Sequence, residues 1–259
     1  MILLLLLVQV TAETKDEKTW RVSGKVESAD ETMIVAARRI ERRWDPKSRD
    51  FTEMLSDEVR VRATAVIEKG RFDVTLKAGP TGLYELSVGD RPSSRAGFGS
   101  VAALFARMRG SVKTATDLAK AAIDFIDEVE AAMKDEGKRP ADYDKRIAAR
   151  EESIAKLKTE TDFTATLAAL GEIYFQLRNA QFASAKRAKA AENDGEVLLD
   201  PELTLGGLRE RAKSIPTILS LEARASIRSL LDAKSRAEAL KLAEEVPEPD
   251  KKLIAELEK

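Results

Sequence analysis

The 259-residue chain contains no cysteine and no histidine. Without cysteine it forms no disulfide, offers no thiolate nucleophile or lipid-modified cysteine, and holds no thiolate-ligated metal or iron–sulfur cluster. Without histidine it lacks the commonest general base and metal ligand near neutral pH. A Ser-His-Asp triad, a histidine-ligated zinc and a Glu-x-x-His di-iron site are therefore excluded. Aromatic residues are only 5% of the chain, so any core must rest on aliphatic side chains and alanine. An excess of one charge is also lacking. The 44 Lys and Arg residues against 45 Asp and Glu leave a net charge of −1, and no overall field draws the chain to nucleic acid or an anionic bilayer. The longest apolar run falls far short of the ~20 residues of a membrane-spanning helix.

What is present is a globular composition, 43% hydrophobic and 34% charged, in a length that suits two modest domains. Ile2 to Val8 is an unbroken apolar run, followed by Val10-Thr11-Ala12 and then by charged Glu13-Thr14-Lys15-Asp16. An apolar stretch of roughly 7–15 residues ending in a small-x-small site is the pattern of a secretory signal. Residues 1–12 are expected to be such a signal, although no basic residue precedes the apolar run. The protein is accordingly expected in the periplasm, the cell envelope or the medium, with no transmembrane segment in its mature form.

From Thr19 to Asp90 the apolar period is two. Trp20, Val22, Gly24 and Val26 alternate with Arg21, Ser23, Lys25 and Glu27, and Met33–Trp44, Val59–Ala63, Arg71–Leu76 and Leu83–Val88 read as further strands. Gly70, Gly79-Pro80-Thr81-Gly82 and Gly89-Asp90 punctuate them as turns, and Asp45 to Asp57 reads as a long loop. The expectation is an antiparallel β-sandwich over residues 19–90. Gly70-Arg71-Phe72-Asp73-Val74-Thr75-Leu76, Gly79 and Leu83-Tyr84-Glu85-Leu86-Ser87-Val88 resemble the closing hairpin of carboxypeptidase-regulatory-like, transthyretin-type β-sandwiches. Val22-Ser23-Gly24-Lys25-Val26 is similar to their opening strand. The resemblance covers residues 19–90 only. It implies a noncatalytic accessory module of an exported protein and transfers no catalytic residue.

Residues 91–99 read as a linker, after which the period becomes helical, so that residues 100–259 are expected to form an antiparallel helical bundle and the whole chain an α+β fold. Val101, Leu104, Phe105, Met108, Val112, Ala115, Leu118, Ala119, Ala122, Phe125, Ile126, Val129 and Met133 make one stripe. Gly137 is the expected stop. Pro140 opens a second helix to about Lys158, and Thr161 or Asp162 caps a third with the stripe Phe163, Leu167, Leu170, Tyr174, Leu177 and Ala185. Asn193-Asp194-Gly195 ends it. Asp200-Pro201 opens a fourth region, expected to break at Pro216 and resume from Thr217 to Glu245, with a short amphipathic tail from Asp250 to Lys259.

Candidate chemistry is sparse. Gly97-Phe98-Gly99-Ser100-Val101-Ala102 has the form of a dinucleotide fingerprint, but the preceding strand ends too early and none follows at the βαβ distance, so a hinge is expected. Ser153-Ile154-Ala155-Lys156 has the S-x-x-K form without its companion signatures, on a heavily charged helix. Asp45, Asp50, Glu53 and Asp57 mark the expected long loop as the best place for a weak Ca²⁺ site. Leu167, Leu170-Gly171, Tyr174, Ala183 and Ala190 resemble the spacing of one tetratricopeptide repeat, and the next period puts Arg209 where an aromatic belongs. No cofactor or metal is expected.

Arg38-Arg39-Ile40-Glu41-Arg42-Arg43-Trp44 is the one dense basic stretch; in a strand Arg38, Arg42 and Trp44 share a face, suited to an anionic glycan or envelope polymer. Leu253, Ile254 and Leu257 of the tail form a second candidate interaction stripe. The favoured reading is an exported noncatalytic protein that acts through protein or envelope-polysaccharide contacts and binds no nucleic acid. The alternatives are a ligand carrier with a cavity in the bundle and a hydrolase using carboxylate or Ser/Lys chemistry.

Overall fold

A computed structural model describes residues 9–16, 19–26, 32–77, 79, 82–89, 91–97, 101–134, 140–179 and 205–259. Its strands are β1 (Gln9–Asp16), β2 (Thr19–Lys25), β3 (Thr32–Asp45), β4 (Asp50–Val66), β5 (Arg71–Lys77), β6 (Leu83–Val88) and β7 (Arg91–Gly97). Two antiparallel sheets result, ordered β1-β2-β5 and β4-β3-β6-β7. Period-two patterning buries one face of each. Trp20 and Val22 of β2 and Phe72 and Leu76 of β5 meet Val35, Ala37, Ala65, Tyr84, Leu86 and Val88 in one cluster, where the Trp20 and Tyr84 rings stand edge to face at 4.9 Å. The chain passes from β4 to β5 at Lys69-Gly70, whose φ values are 51° and 72°. A β-carbon at residue 70 would lie 2.9 Å from the Val26 carbonyl oxygen, so both the conformation and the space call for glycine.

The helices are α1 (Val101–Lys134), α2 (Tyr143–Glu160), α3 (Thr164–Asn179), α4 (Leu205–Leu230), α5 (Arg236–Glu245) and α6 (Lys251–Leu257). With strands first and helices after, the fold is α+β. From Leu104 to Val129 every residue of the expected α1 stripe is buried. Ala115, Ala119 and Ala122 let α1 pack closely on α3, α4 and α5, as the shortage of aromatics required. Tyr143 and Tyr174 find partners for their hydroxyls in the Leu177 and Leu118 carbonyl oxygens. No helix among the described residues is long and apolar enough to cross a membrane.

Several expectations need correction. Arg91–Gly97 is the edge strand β7 rather than part of a linker; an edge position tolerates Pro92, whose missing N–H makes the segment read as a turn. Asp45–Asp57 is no long loop, since residues 46–49 turn and Asp50–Asp57 belong to β4, paired in register from Trp44↔Phe51 to Ile40↔Leu55. Asp45 is spent on that turn, accepting from the Lys47 N–H at 2.9 Å and the Ser48 hydroxyl at 2.8 Å. The proposed Ca²⁺ ligands are thereby spread along a hairpin. α4 runs through Pro216, and the chain breaks instead at Leu231–Ser235, where Asp232 and Ser235 exchange hydrogen bonds, Ser235 N–H to Asp232 Oδ1 at 2.7 Å and Asp232 N–H to Ser235 Oγ at 3.1 Å.

In the tail, Asp250 caps α6, and Leu253 and Leu257 are buried in the helical core with Ile254 packed partly against it, so this stripe is core rather than free surface. The expected signal divides: residues 1–8 lie outside the described residues, while Gln9–Ala12 form the first half of β1 and pair with Lys25–Val22. Gly137, Ala183, Ala185, Ala190, Asn193-Asp194-Gly195, Asp200-Pro201 and the centre of the Gly97–Ala102 motif also lie outside the described residues.

Candidate functional site

The two halves meet on β3. Its pairing with β4 shifts register between Arg38↔Arg60 and Ile40↔Leu55, and such an irregularity increases twist and re-aims side chains. In a regular strand Arg39 and Arg42 would point apart. Here both guanidinium groups reach the short α2–α3 connection, Thr161-Asp162-Phe163, which is fully buried. A buried connection needs partners for its backbone. Arg39 supplies them at the end of α2: Nη2 donates to the Thr161 carbonyl oxygen at 2.9 Å and Nη1 to that of Lys158 at 3.4 Å, placing a cation on a helix C-terminus. Glu222 of α4 does the converse at the start of α3. It accepts from the Ala165 N–H at 2.7 Å and the Thr166 N–H at 2.8 Å, a capping role that sequence reading gave to Thr161 or Asp162.

The Asp162 side chain instead faces the strands. Oδ1 accepts from the Leu83 N–H at 3.3 Å, and Oδ2 lies 3.4 Å from both Arg42 Nη1 and Ser226 Oγ. Arg42 Nη1 also donates to Ser226 Oγ at 2.8 Å, its Nε lies 3.5 Å from Glu53 Oε1, and its backbone N–H donates to Thr164 Oγ1 at 2.7 Å. Gly82 makes room for this convergence, because a β-carbon there would lie 2.9 Å from Arg39 Nε and 3.1 Å from Asp162 Oδ1. Burial pushes the Asp162 carboxyl above its ordinary range against the pull of Arg42 and Arg39. Burial likewise pushes Glu222 up to about 7, opposed by the Thr166 and Ala165 N–H groups and by Arg42.

A buried acid pair with perturbed proton affinity is the feature that would point to acid–base catalysis. These two carboxylates do not fit that role. Asp162 is 1% exposed and Glu222 0%, and the oxygens of both are engaged by protein donors, so neither meets a substrate in this conformation. Their geometry joins sheet to helices. Ser153 of the S-x-x-K match is spent on the Ala149 carbonyl within its own helix.

An open site lies beside the junction. The tip of the β3–β4 hairpin, the first turns of α3 and the middle of α4 enclose a cleft of about 560 Å³. Trp44, Pro46 and Met54 line one wall and Ala168, Ala169 and Ile218 the other, with Glu41, Arg43, Glu172 and Arg211 supplying charges of both signs. Trp44 is held edge to face against Phe51 at 5.2 Å, and Met54 is 52% exposed. Although α3 begins at this cleft, Glu222 already occupies the amides of Ala165 and Thr166, so the helix end is not a vacant anion site. Among the described residues of the helical part, the recess beside Glu128, Arg146 and Arg150 is smaller, about 170 Å³, and that beneath Val246 is about 10 Å³.

Of the expected interaction residues, Trp44 lines the cleft, Arg42 lies between cleft and buried network, and Arg38 turns away to pair with Asp57. Leu253, Ile254 and Leu257 take no part. Sequence reading missed Arg39, Asp162 and Glu222. For Glu222 a signal existed: it falls in the apolar series Ile215, Ile218, Leu219, Glu222, Ala223, Ile227, where a carboxylate is out of place. Comparison with protein-family models, curated proteins and solved structures finds no match.

Proposed function

We propose that the protein is an exported, noncatalytic interaction protein whose junction cleft receives an extended segment of a partner protein. The observation that carries this reading is the cleft itself: Trp44 and Met54 form an open, largely apolar recess beside a buried ionic junction, while the nearby carboxylates are consumed by structural contacts. A volume of about 560 Å³ takes a few side chains rather than a folded domain. An apolar anchor ringed by Glu41, Glu172, Arg43 and Arg211 suits a segment with one large apolar residue between charges of both signs. Export is supported by the apolar run Ile2–Val8 followed by small residues and then charge.

The cysteine-free chain makes the test direct. Met54→Cys carries a single photo-cross-linker in the cleft, and Lys156→Cys carries one on the exposed face of α2. In the native host, Met54→Cys is expected to capture one protein reproducibly, Lys156→Cys is not, and adding Trp44→Ala is expected to reduce capture at least tenfold. Equal products from both positions, or none from the cleft, overturn the reading. The first residue of the recovered chain reports whether residues 1–12 are removed.

A further inference from the structure

We propose that the outer face of β4, with the adjoining ends of β2 and β5, is a track for a linear anionic polymer of the cell envelope. The track is separate from the junction cleft and does not depend on what the cleft binds. Along β4, Arg60, Arg62, Thr64 and Val66 alternate outward and are exposed. At ~3.3 Å per residue this row is about 20 Å long. At its Val66 end it enters a shallow groove of about 1180 Å³ whose walls carry Lys25, Lys69 and Arg71.

The charge pattern singles out this face. Arg38 is directly opposite Arg60, and Lys25 is directly opposite Arg71. Like charges facing each other across strands are destabilising. Arg38 is relieved by Asp57 and stands opposite Glu85 of β6 on its other side, but Lys25, Arg60, Arg62 and Arg71 make no ion pair among the described residues. The acids lining the groove are Glu68 and Asp73, and Asp73 is gripped by Arg21. Cations thus predominate here in a chain whose net charge is −1. Charged residues on an end strand do discourage edge-to-edge pairing, but alternating signs would serve that purpose without the repulsion. Guanidinium groups in a row match the carboxylates or phosphates of a repeating polymer, and Arg binds either in a two-pronged manner. The apolar side chains here, Val66 and the neighbouring Ile34, lie open on a shallow face rather than in an enclosed pocket, which suits a thin chain better than a folded partner that needs buried anchors.

The test measures binding of the full chain to alginate, to polyglycerol phosphate, to neutral dextran of similar length and to single-stranded DNA, by calorimetry at low and at physiological salt. At least one of the first two is expected to bind, more weakly as salt rises, and dextran is not. Binding of alginate alone assigns a uronate polymer, and of polyglycerol phosphate alone a phosphate polymer. The pairs Arg60→Ser with Arg62→Ser and Lys25→Thr with Arg71→Thr are each expected to weaken binding at least tenfold. Lys145→Thr with Lys156→Thr, which removes the same charge from α2, is expected to change it less than twofold. Without polymer, both double variants of the track are expected to melt no lower than the unsubstituted protein, which also shows that they fold. Binding of dextran, equal weakening by the α2 pair, unchanged binding in both track variants, or tighter binding of DNA than of either polymer overturns the proposal. Cross-linking from position 54 is read separately, so failure of one site is distinguishable from failure of the other.

Discussion

Glu222 occupies a place where its charge is costly and its hydrogen bonds are good. It is fully buried, yet it accepts two backbone N–H groups of α3 and lies in the field of Arg42, with Asp162 and Arg39 in the same network. Burial prevails and raises its proton affinity, so the folded chain binds a proton between about pH 4.5 and 7 that the unfolded chain does not. Stability from this group therefore increases as pH falls through that window and is lower above it. Asp162, shifted the same way by burial, acts with the same sign. Glu128 and Asp232, held below their ordinary range by Arg146 and Ser235, act oppositely and only in stronger acid. Chemical denaturation from pH 7.5 to 5 should show stability rising by on the order of 3 kcal/mol, with Glu222→Gln removing most of that slope. An identical slope in the variant would show that another group carries it. At this scale the site was only partly legible. The basic stretch and Trp44 were visible, but the convergence of Arg39 and Arg42 depends on a register shift over Ser56–Val59, which no single residue type announces.

At the scale of elements, α6 shows how a short amphipathic segment is misread. Leu253 and Leu257 are one turn apart with charges around them, the same pattern for a docking stripe and for a helix closing a core. Here they are 5% and 3% exposed against the helical cluster, and Asp250 caps the helix through the Lys252 and Leu253 N–H groups at 3.0 and 3.3 Å. Leu253→Ala should accordingly cost about 2–4 kcal/mol of stability, read by thermal or urea unfolding. It should leave capture from position 54 intact; a variant as stable as the parent would return α6 to the surface. Long periodic elements were the most legible: from Leu104 to Val129 α1 could be traced residue by residue because one stripe repeats along it. Boundaries set by tertiary contacts were not. Arg91–Gly97 has few strand-forming side chains and is ordered by pairing with β6. Pro216 lacks the N–H that would reach Ala212, yet Ile215, Ile218 and Leu219 are buried on both sides of it and keep α4 continuous, so packing outweighs one lost bond.

For the whole molecule, the two halves keep separate apolar cores, one between the sheets and one among the helices, and are joined by a mostly polar seam. Cores of this kind can unfold independently unless the seam couples them. The coupling here is concentrated in Arg42, which ties β3 to Asp162 before α3 and to Ser226 on α4, and in Arg39, which holds the end of α2. The same seam positions the walls of the cleft, since Trp44 follows Arg42 on β3 and Ala165 follows the buried connection. Removing one partner of a buried ion pair strands the other, at a cost of about 3–5 kcal/mol, whereas replacing both by apolar side chains of similar size costs far less. Arg42→Ala is therefore expected to split a single calorimetric transition into two, with the helical half melting first because its buried Asp162 loses the one ion-pair partner it has among the described residues, 3.4 Å away. It should also weaken cross-linking from position 54 by loosening the cleft. Arg42→Met combined with Asp162→Leu should recover much of the stability and the single transition, as the seam becomes apolar. If Arg42→Ala still melts in one transition at the parent temperature, the ionic seam does not couple the halves, and the cleft owes its shape to Trp44 and Phe51 packing on the helical core.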